Sequence, residues 1–366
     1  MNVLVMGGTQ FNGLALVHEL VAHGHDVTIL NRGLSPASVP AAVKRLTADR
    51  TDTAAMRKVL GGLEFDCIHD VSAYRPEDVE LMLELFRDRT GHYIFVSSTV
   101  IYAASALLPI GEDHPLDRSE RQNEYGLNKI AAEDLLLREH RERGFPASVV
   151  ALSMVFGPNN ILPDREQRMF ARLLQGRPIL IPGDGTTIAQ VGFVDDQARA
   201  MRMLMGVPET FGRRYNLTGG DYFSAEGYVD LFAATLGVEA HKVFLPAPLM
   251  DDVFTGRQAI QPVAIQSRAD TRTRAAPNPR ALNQFLCSML VQRIAPHIHH
   301  WNRNVVFAID RLREDVGWTP EVAFPEAVSR TWEWYKGEGL DRSQEFDFSF
   351  EDALLERVRA ANGNAG

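Results

Sequence analysis

The chain has 366 residues, of which 45% are apolar and 23% charged, with a net charge of −9. That is the balance of a globular protein with two domains, or with one large domain and an appended lobe, and the acidic excess argues against wholesale binding to nucleic acid or to an anionic membrane. Two cysteines, Cys67 and Cys287, are too few for a disulfide framework or a zinc site. No secretory signal or membrane-length apolar run is visible, so a cytoplasmic enzyme is expected.

The first stretch, Asn2–Gly33, reads NVLVMGGTQFNGLALVHELVAHGHDVTILNRG. Val3–Met6 is a short apolar run that predicts a buried parallel strand. Gly7, Gly8 and Gly13 punctuate the turn after it. Leu14, Leu16, Val17, Leu20 and Val21 recur at helical spacing, Gly24 stands where a helix C-terminal glycine belongs, and Val27–Leu30 is a second strand. Strand, glycine turn, helix, strand is the unit that rests a dinucleotide pyrophosphate on backbone N–H groups at a helix N-terminus. The turn departs from G-x-x-G-x-x-G spacing: position 10 is Gln10, while Gly13 is in place. A glycine turn can also be purely structural.

Farther along, Ser35–Pro40 reads as a loop, Arg45–Ala48 as a strand, Thr53–Leu60 as a helix and Phe65–Val71 as a strand, with Cys67 a small core residue. A helix is expected over Glu77–Phe86, a strand over His92–Ser97 and a long helix over Tyr125–Arg143 closed by Gly144. A strand over Ala147–Leu152 follows. Alternation of strands and helices predicts a parallel, doubly wound sheet. Beyond about residue 155 it decays, and a second lobe is expected over 156–366, with segments near 190–220 returning to the first. The tail Ala360–Gly366 reads as frayed.

Tyr125 and Lys129 stand at i and i+4, on one face of a helix. A free Tyr has a pKa of about 10, and a nearby cation favours the phenolate and makes it usable as a general base. Ser98, ending the strand before, can hydrogen-bond the same substrate oxygen, and strand C-terminal ends are where open α/β sheets place ligands. Each residue also has a structural reading: the Tyr–Lys pair as surface decoration, the Ser as a helix cap.

With these residues in place the chain resembles the extended short-chain dehydrogenase/reductases, the NAD-dependent epimerase/dehydratase group. The matching stretches are GGTQFNG (Gly7–Gly13), VSSTVIY (Val96–Tyr102), EYGLNK (Glu124–Lys129), VFGPNN (Val155–Asn160), IPGDG (Ile181–Gly185), FVDDQARA (Phe193–Ala200), YNLTGG (Tyr215–Gly220) and VGWTP (Val316–Pro320). The resemblance implies a Rossmann-type cofactor domain over residues 1–155 and a smaller C-terminal α/β substrate lobe. It implies a catalytic triad of Ser98, Tyr125 and Lys129. It places NAD or NADP on Gly7, Thr9, Gln10, Phe11 and Gly13 of the turn, on Asn31, Arg32, Asp49 and Val71, and on Lys129. Tyr125 would take a proton from a substrate hydroxyl as hydride leaves the same carbon, Lys129 would lower the Tyr pKa and hold the nicotinamide ribose, and Ser98 would hold the developing carbonyl oxygen. Homodimerisation through Glu77–Phe86 and Tyr125–Arg143 is a family expectation.

Where sugar 4,6-dehydratases carry Asp-Glu after the triad Ser or Thr, this chain has Thr99-Val100, which leaves oxidation–reduction or epimerisation. NAD-using members have Asp at the end of the second strand; here Asn31-Arg32 stands there, which removes repulsion toward a 2′-phosphate and tilts toward NADP. Asp49 matches an adenine-contacting position, and also reads as a turn Asp. His69-Asp70-Val71-Ser72 replaces the usual HLAA, and Ala151-Leu152 the usual Arg-Pro.

In the second lobe, Arg257–Arg303 holds seven arginines against one acid, Asp270. It reads either as an anion site for the diphosphate of a nucleotide-linked sugar, with Arg257 and Arg268 as substrate contacts beside Thr99, or as an exposed loop. His297-Ile298-His299-His300 reads as a surface histidine cluster, with no metal expected. Trp332, Trp334 and Tyr335 read as core packing, and Phe346–Phe350 (FDFSF) has no assigned reading. The leading function is a nucleotide-sugar epimerase or reductase. The alternatives are an NADP-linked reductase of a non-sugar carbonyl and an RNA-binding member of the same fold, since the GGT-x-F turn and Asn31-Arg32-Gly33 resemble chloroplast stem-loop-binding proteins.

Overall fold

The computed structural model describes residues 1–35, 38–257, 279–298 and 301–363. Within it the chain divides into two compact units. One comprises Met1–Val155, Gly192–Gly220 and Phe307–Val322; the other comprises Phe156–Val191, Asp221–Val306 and Ala323–Gly366.

The first unit is built on β1 (Asn2–Met6), α1 (Phe11–Ala22), β2 (Asp26–Asn31), β3 (Lys44–Thr47), α2 (Thr53–Leu60), β4 (Cys67–Asp70), α3 (Pro76–Phe86), β5 (Tyr93–Ser98), α4 (Glu124–Arg143) and β6 (Ala147–Leu152). With the later strand Arg214–Leu217 they make a seven-stranded sheet ordered Arg214–Leu217, β6, β5, β4, β1, β2, β3. Every pairing is parallel; Val5 stands opposite Ile29 on one side and His69 on the other.

The alternation of side chains along β1 explains why its run is continuously apolar. Val3 and Val5 pack into the core under α1 with Leu16, Val17 and Leu20, while Leu4 and Met6 pack into the opposite core with Val79, Met82 and Phe86 of α3. A strand buried on both faces has no polar position to offer. Strand order reverses between β1 and β4, so the carboxyl ends at Met6, Asp70 and Ser98 flank the switch point where such sheets take ligands.

Residues 307–322 join this unit through Trp318, which is fully buried and donates from Nε1 to the Asp196 carbonyl at 3.2 Å. The Asp196 carboxylate accepts from the backbone N–H groups of Glu321 and Val322 at 3.1 and 2.9 Å.

In the second unit, Ile179–Pro182 pairs in parallel with Lys242–Leu245, and Ile188–Ala189 pairs antiparallel with Phe223–Ser224. Helices Glu166–Leu174, Ala225–Leu236, Phe324–Gly337 and Ser349–Gly363 each bury apolar side chains in this unit, among them Phe170, Phe232, Val328 and Leu354. Phe170 packs on Phe232, Trp332 and Tyr335 with ring centroids 4.9, 5.3 and 5.5 Å away, so Trp332 and Tyr335 are core packing as expected, while Trp334 is half-buried. The C-terminal helix runs through Gly363, so residues 360–363 are helical where a frayed end was expected. Among the described residues no helix is long and apolar enough to cross a membrane, and both cysteines are buried and outside any disulfide.

Candidate active site

The glycine turn is tight for identifiable reasons. Gly7 and Gly8 have φ of +117° and +71°, conformations open to glycine. A Cβ on Gly8 would lie 2.7 Å from the Ile29 side chain, and one on Gly13 would lie 2.6 Å from the backbone nitrogen of Gly8. The first turn of α1 therefore sits directly on the loop. Gln10 is extended, with φ −142° and ψ 141°, and exposed; that backbone suits any residue, which is why the family glycine is dispensable here. Phe11 takes the positive φ instead, at 38°, and is buried. No side chain caps α1 and no acid occupies its first turn, so its N-terminal N–H groups and positive dipole end fit the pyrophosphate of a dinucleotide. Thr9 is buried in the same turn.

At the end of β2, Asn31 Oδ1 accepts from Gly33 N at 2.7 Å, so this side chain shapes the turn that carries Arg32. Asp49 Oδ1 accepts from the backbone N–H and hydroxyl of Thr51 at 2.9 and 2.7 Å, which is the turn role. The neighbour, Arg50, was not singled out in the sequence and proves the more consequential residue. Its guanidinium pairs both nitrogens with the Asp70 carboxylate at 2.7 and 2.8 Å, reaches Ser72 Oγ at 2.9 Å and stands 3.2 Å from Asp78. Tyr93 donates its hydroxyl to Asp70 at 2.6 Å. Burial alone would raise the Asp70 carboxyl, but Arg50 and the Tyr93 hydroxyl outweigh it and hold it below the usual carboxylate range. The network fixes Val71 and Ser72, whose Cβ atoms lie 3.7 Å from where a Gly7 Cβ would stand, and Val71 N donates to the Met6 carbonyl at 3.2 Å.

Ser98 ends β5 and caps the short turn Thr99–Ile101, its Oγ accepting from Val100 N at 3.3 Å. Thr99 is buried, and its hydroxyl has no hydrogen-bond partner. Asn123 caps α4 by accepting from Gly126 N at 2.7 Å. Gln122 donates to the Val100 carbonyl at 2.7 Å and lies over Gly126, where a Cβ would come within 2.5 Å of its carboxamide carbon. The start of α4 is thereby fastened to the loop after Ser98.

Tyr125 is half-exposed, whereas Lys129 is only 3% exposed. Lys129 Nζ donates to the carbonyls of Ala73 and Val96, both at 2.7 Å. It lies 4.8, 5.3 and 5.6 Å from the ring centroids of Phe95, Tyr74 and Tyr125, within cation–π range. The rings of Tyr74 and Tyr125 are 6.0 Å apart. Burial pulls the Lys129 ammonium down to about 8, opposed by the negative charges of Asp70 and Glu133. Lys129 is thus a buried cation beside the Tyr125 ring.

Of the substrate candidates in the second unit, Arg257 is exposed and pairs with Asp252 at 3.2 Å, and Arg268 lies outside the described residues. Arg293 is buried and stands 3.1 Å from Asp164, so it serves the core. Arg303 lines an open cavity of about 590 Å³ with Asp184, Thr186, Trp301 and Asn302. His297 corrects the surface-cluster expectation: it is buried, stacked on Tyr228 at 4.2 Å, and desolvation lowers its pKa to about 3. His299 and His300 lie outside the described residues. Phe346–Phe350 also acquires a role. Phe346 and Phe348 lie 5.4 and 4.7 Å from the Arg168 guanidinium, which is paired with Glu351 at 2.6 and 2.9 Å.

The sequence profile of the NAD dependent epimerase/dehydratase family matches residues 3–218. The chain is 26% identical to the chloroplast stem-loop binding protein of 41 kDa b of Arabidopsis thaliana over 97% of its own length and 84% of that protein. It is 23% identical to the 2-alkyl-3-oxoalkanoate reductase of Stenotrophomonas maltophilia over 90% of its length and 98% of that enzyme. Its fold is similar to that of the UDP-glucose 4-epimerase of Thermotoga maritima, solved with UDP-glucose, with a TM-score of 0.69 and 19% identity over 92% of this chain and 99% of that one. The family match spans more than half of the chain and both the glycine turn and the Tyr125–Lys129 helix, and the chain belongs to the NAD dependent epimerase/dehydratase family of extended short-chain dehydrogenase/reductases.

Proposed function

We propose that this enzyme oxidises or epimerises a secondary hydroxyl of a nucleotide-linked sugar, or reduces the corresponding ketone, with Ser98, Tyr125 and Lys129 as its reactive residues. The observation that carries the reading is the buried Lys129 ammonium 5.6 Å from the ring of the half-exposed Tyr125. A cation there favours the phenolate, so Tyr125 can accept the substrate hydroxyl proton. A bound NAD(P) would take the hydride from the same carbon in oxidation and return it in reduction. Ser98 holds the oxygen as it becomes a carbonyl, and Thr99, with its unpartnered hydroxyl, is the neighbouring hydrogen-bonding group for substrate. Neither Thr99 nor Val100 can supply the extra acid and base that a dehydratase needs.

Asn31 places no carboxylate against a 2′-phosphate, and Arg32 follows it, which supports NADP as an accepted cofactor. The nucleotide-sugar assignment draws on the UDP-glucose carried by the similar Thermotoga enzyme and on Arg303 and Trp301 lining an open cavity in the second unit. The test is a panel of nucleotide sugars and their keto forms, with turnover followed by reduced-nicotinamide absorbance and by product analysis. Tyr125→Phe should lower kcat by at least 100-fold, the scale of a lost general base. Unchanged turnover in that variant would sink the assignment.

A second reading follows from the stem-loop binding relative, which matches nearly the whole chain. Under it the protein binds structured RNA and the triad is idle. Filter binding against salt separates the two: steep salt dependence without cofactor-linked turnover favours the RNA reading.

A further inference from the structure

Helix α4 presents Tyr125, Lys129 and Glu133 along one stripe, each four residues from the last. Glu133 is fully buried. Its Oε1 accepts from the Ser97 hydroxyl and its Oε2 from Arg214 Nε at 2.6 Å. Ser97 is the residue before Ser98 on β5, and Arg214 opens the edge strand on the far side of β6. Arg214 also donates to the Glu112 carbonyl at 3.0 Å, and Glu112 Oε1 accepts from Asn216 N at 3.1 Å. A buried carboxylate bonded on both oxygens holds its partners in one arrangement, because any slip leaves a buried charge uncompensated.

We propose that Glu133 is a positioning residue for the reactive site: through Ser97 and Arg214 it locks the end of β5, and hence Ser98, in register with the Tyr125–Lys129 stretch of α4. The proposal rests on the reading of Ser98, Tyr125 and Lys129 as that site. Its charge acts as well as its shape. Lys129 is faced by Asp70 from β4, Arg50 from the loop after β3, Glu133 from its own helix and Asp78 from α3; of these Asp70, Glu133 and Asp78 favour the ammonium and Arg50 disfavours it. Burial raises the Glu133 carboxyl above its ordinary range, and Arg214, Ser97 and Lys129, which face it, each oppose that rise by favouring the carboxylate.

The test is NADPH and NADH binding to the full chain, followed by fluorescence as a function of pH, in wild type, Lys129→Met and Glu133→Gln. In the wild type affinity falls as pH rises through the Lys129 titration, and Lys129→Met abolishes that midpoint. Glu133→Gln removes the anion one helical turn away and moves the midpoint down by about one pH unit, a shift that loss of stability alone does not produce. A midpoint that responds to Lys129→Met but stays put in Glu133→Gln overturns the role of Glu133 while the triad stands. A wild-type profile with no Lys129-dependent midpoint overturns the triad reading itself. Should Glu133→Gln not fold, Glu133→Gln/Arg214→Gln leaves no buried charge unpaired and is read in the same way.

Discussion

Lys129 Nζ donates to the carbonyl oxygen of Val96 at 2.7 Å, so the ammonium beside Tyr125 hangs from the strand that ends two residues later in Ser98. A cation buried this deeply leaves a signature in stability. Lys129 titrates at 10.5 in the open and, through burial, at about 8 in the fold. Between these values the unfolded chain keeps the proton and the folded chain releases it. Stability therefore rises with pH across that window, is fully present above 10.5 and is lost as pH falls through about 8. Denaturant titrations should show the wild type gaining about 3 kcal/mol relative to Lys129→Met over this range. A constant difference between the two proteins would contradict the burial.

The glycine turn gives a contrast between neighbouring positions. Gly13→Ala drives a Cβ against the Gly8 backbone nitrogen at 2.6 Å, and backbone cannot yield as a side-chain tip can. We expect a loss of about 1–3 kcal/mol in stability and at least a tenfold weakening of NADPH binding, read by fluorescence titration. Gln10→Gly, at an extended position, should leave cofactor affinity within about twofold, the cost being the ordinary entropic price of a glycine, about 0.5–1 kcal/mol.

Much of the first unit was legible because its signals are local. Val3–Met6 and Ala147–Leu152 are apolar because both their faces are covered, and Thr53–Leu60 buries Met56 and Leu60 at helical spacing. Gly144 ends α4 with φ +71°, a glycine signal that survives in any context. What stayed hidden depends on partners distant in the chain. Arg50 reads as a loop arginine until the carboxyl end of β4 brings Asp70 against it. His297 reads as a surface residue because histidine is polar, yet its ring lies on Tyr228, nearly seventy positions away in sequence. Ser98 was readable both as a catalytic hydroxyl and as a cap, and the cap bond to Val100 shows the structural role present alongside the proposed one. Glu133 carried a signal that could have been used: an acid continuing the Tyr125–Lys129 stripe by one more turn.

The Arg50–Asp70 pair should behave as a buried salt bridge whose rupture costs more than its removal. Arg50→Met leaves the Asp70 carboxylate, fully buried, with only neutral donors and should destabilise by about 3–5 kcal/mol at neutral pH. Arg50→Met/Asp70→Leu should recover most of that. Because Arg50 depresses the Asp70 pKa below its ordinary 3.8, the stabilisation is present above that value and is lost as pH falls through the folded pKa. Equilibrium unfolding of the three proteins against pH checks both points, and an Arg50→Met variant as stable as wild type would show that the pair does not hold Val71 and Ser72 beside the glycine turn.

The FDFSF segment gives the sharpest prediction for the second unit. Phe348 is 7% exposed, and the guanidinium groups of Arg168 and Arg177 lie 4.7 and 4.5 Å from its ring centroid. Arg168 pairs with Glu351 one turn into the C-terminal helix, and Arg177 pairs with Asp352 at 2.5 Å. The ring and the two carboxylates thus hold helix Ser349–Gly363 against helix Glu166–Leu174. Phe348→Ala removes the ring on which both arginines stack and should cost about 3–5 kcal/mol. Phe348→Leu keeps most of the apolar volume but loses the π face, and should cost only about the 0.5–2 kcal/mol of a cation–π contact. Urea unfolding combined with limited proteolysis of the C-terminal helix distinguishes these outcomes. If Phe348→Ala left both the unfolding midpoint and the cleavage rate unchanged, the aromatic segment would have no part in docking that helix.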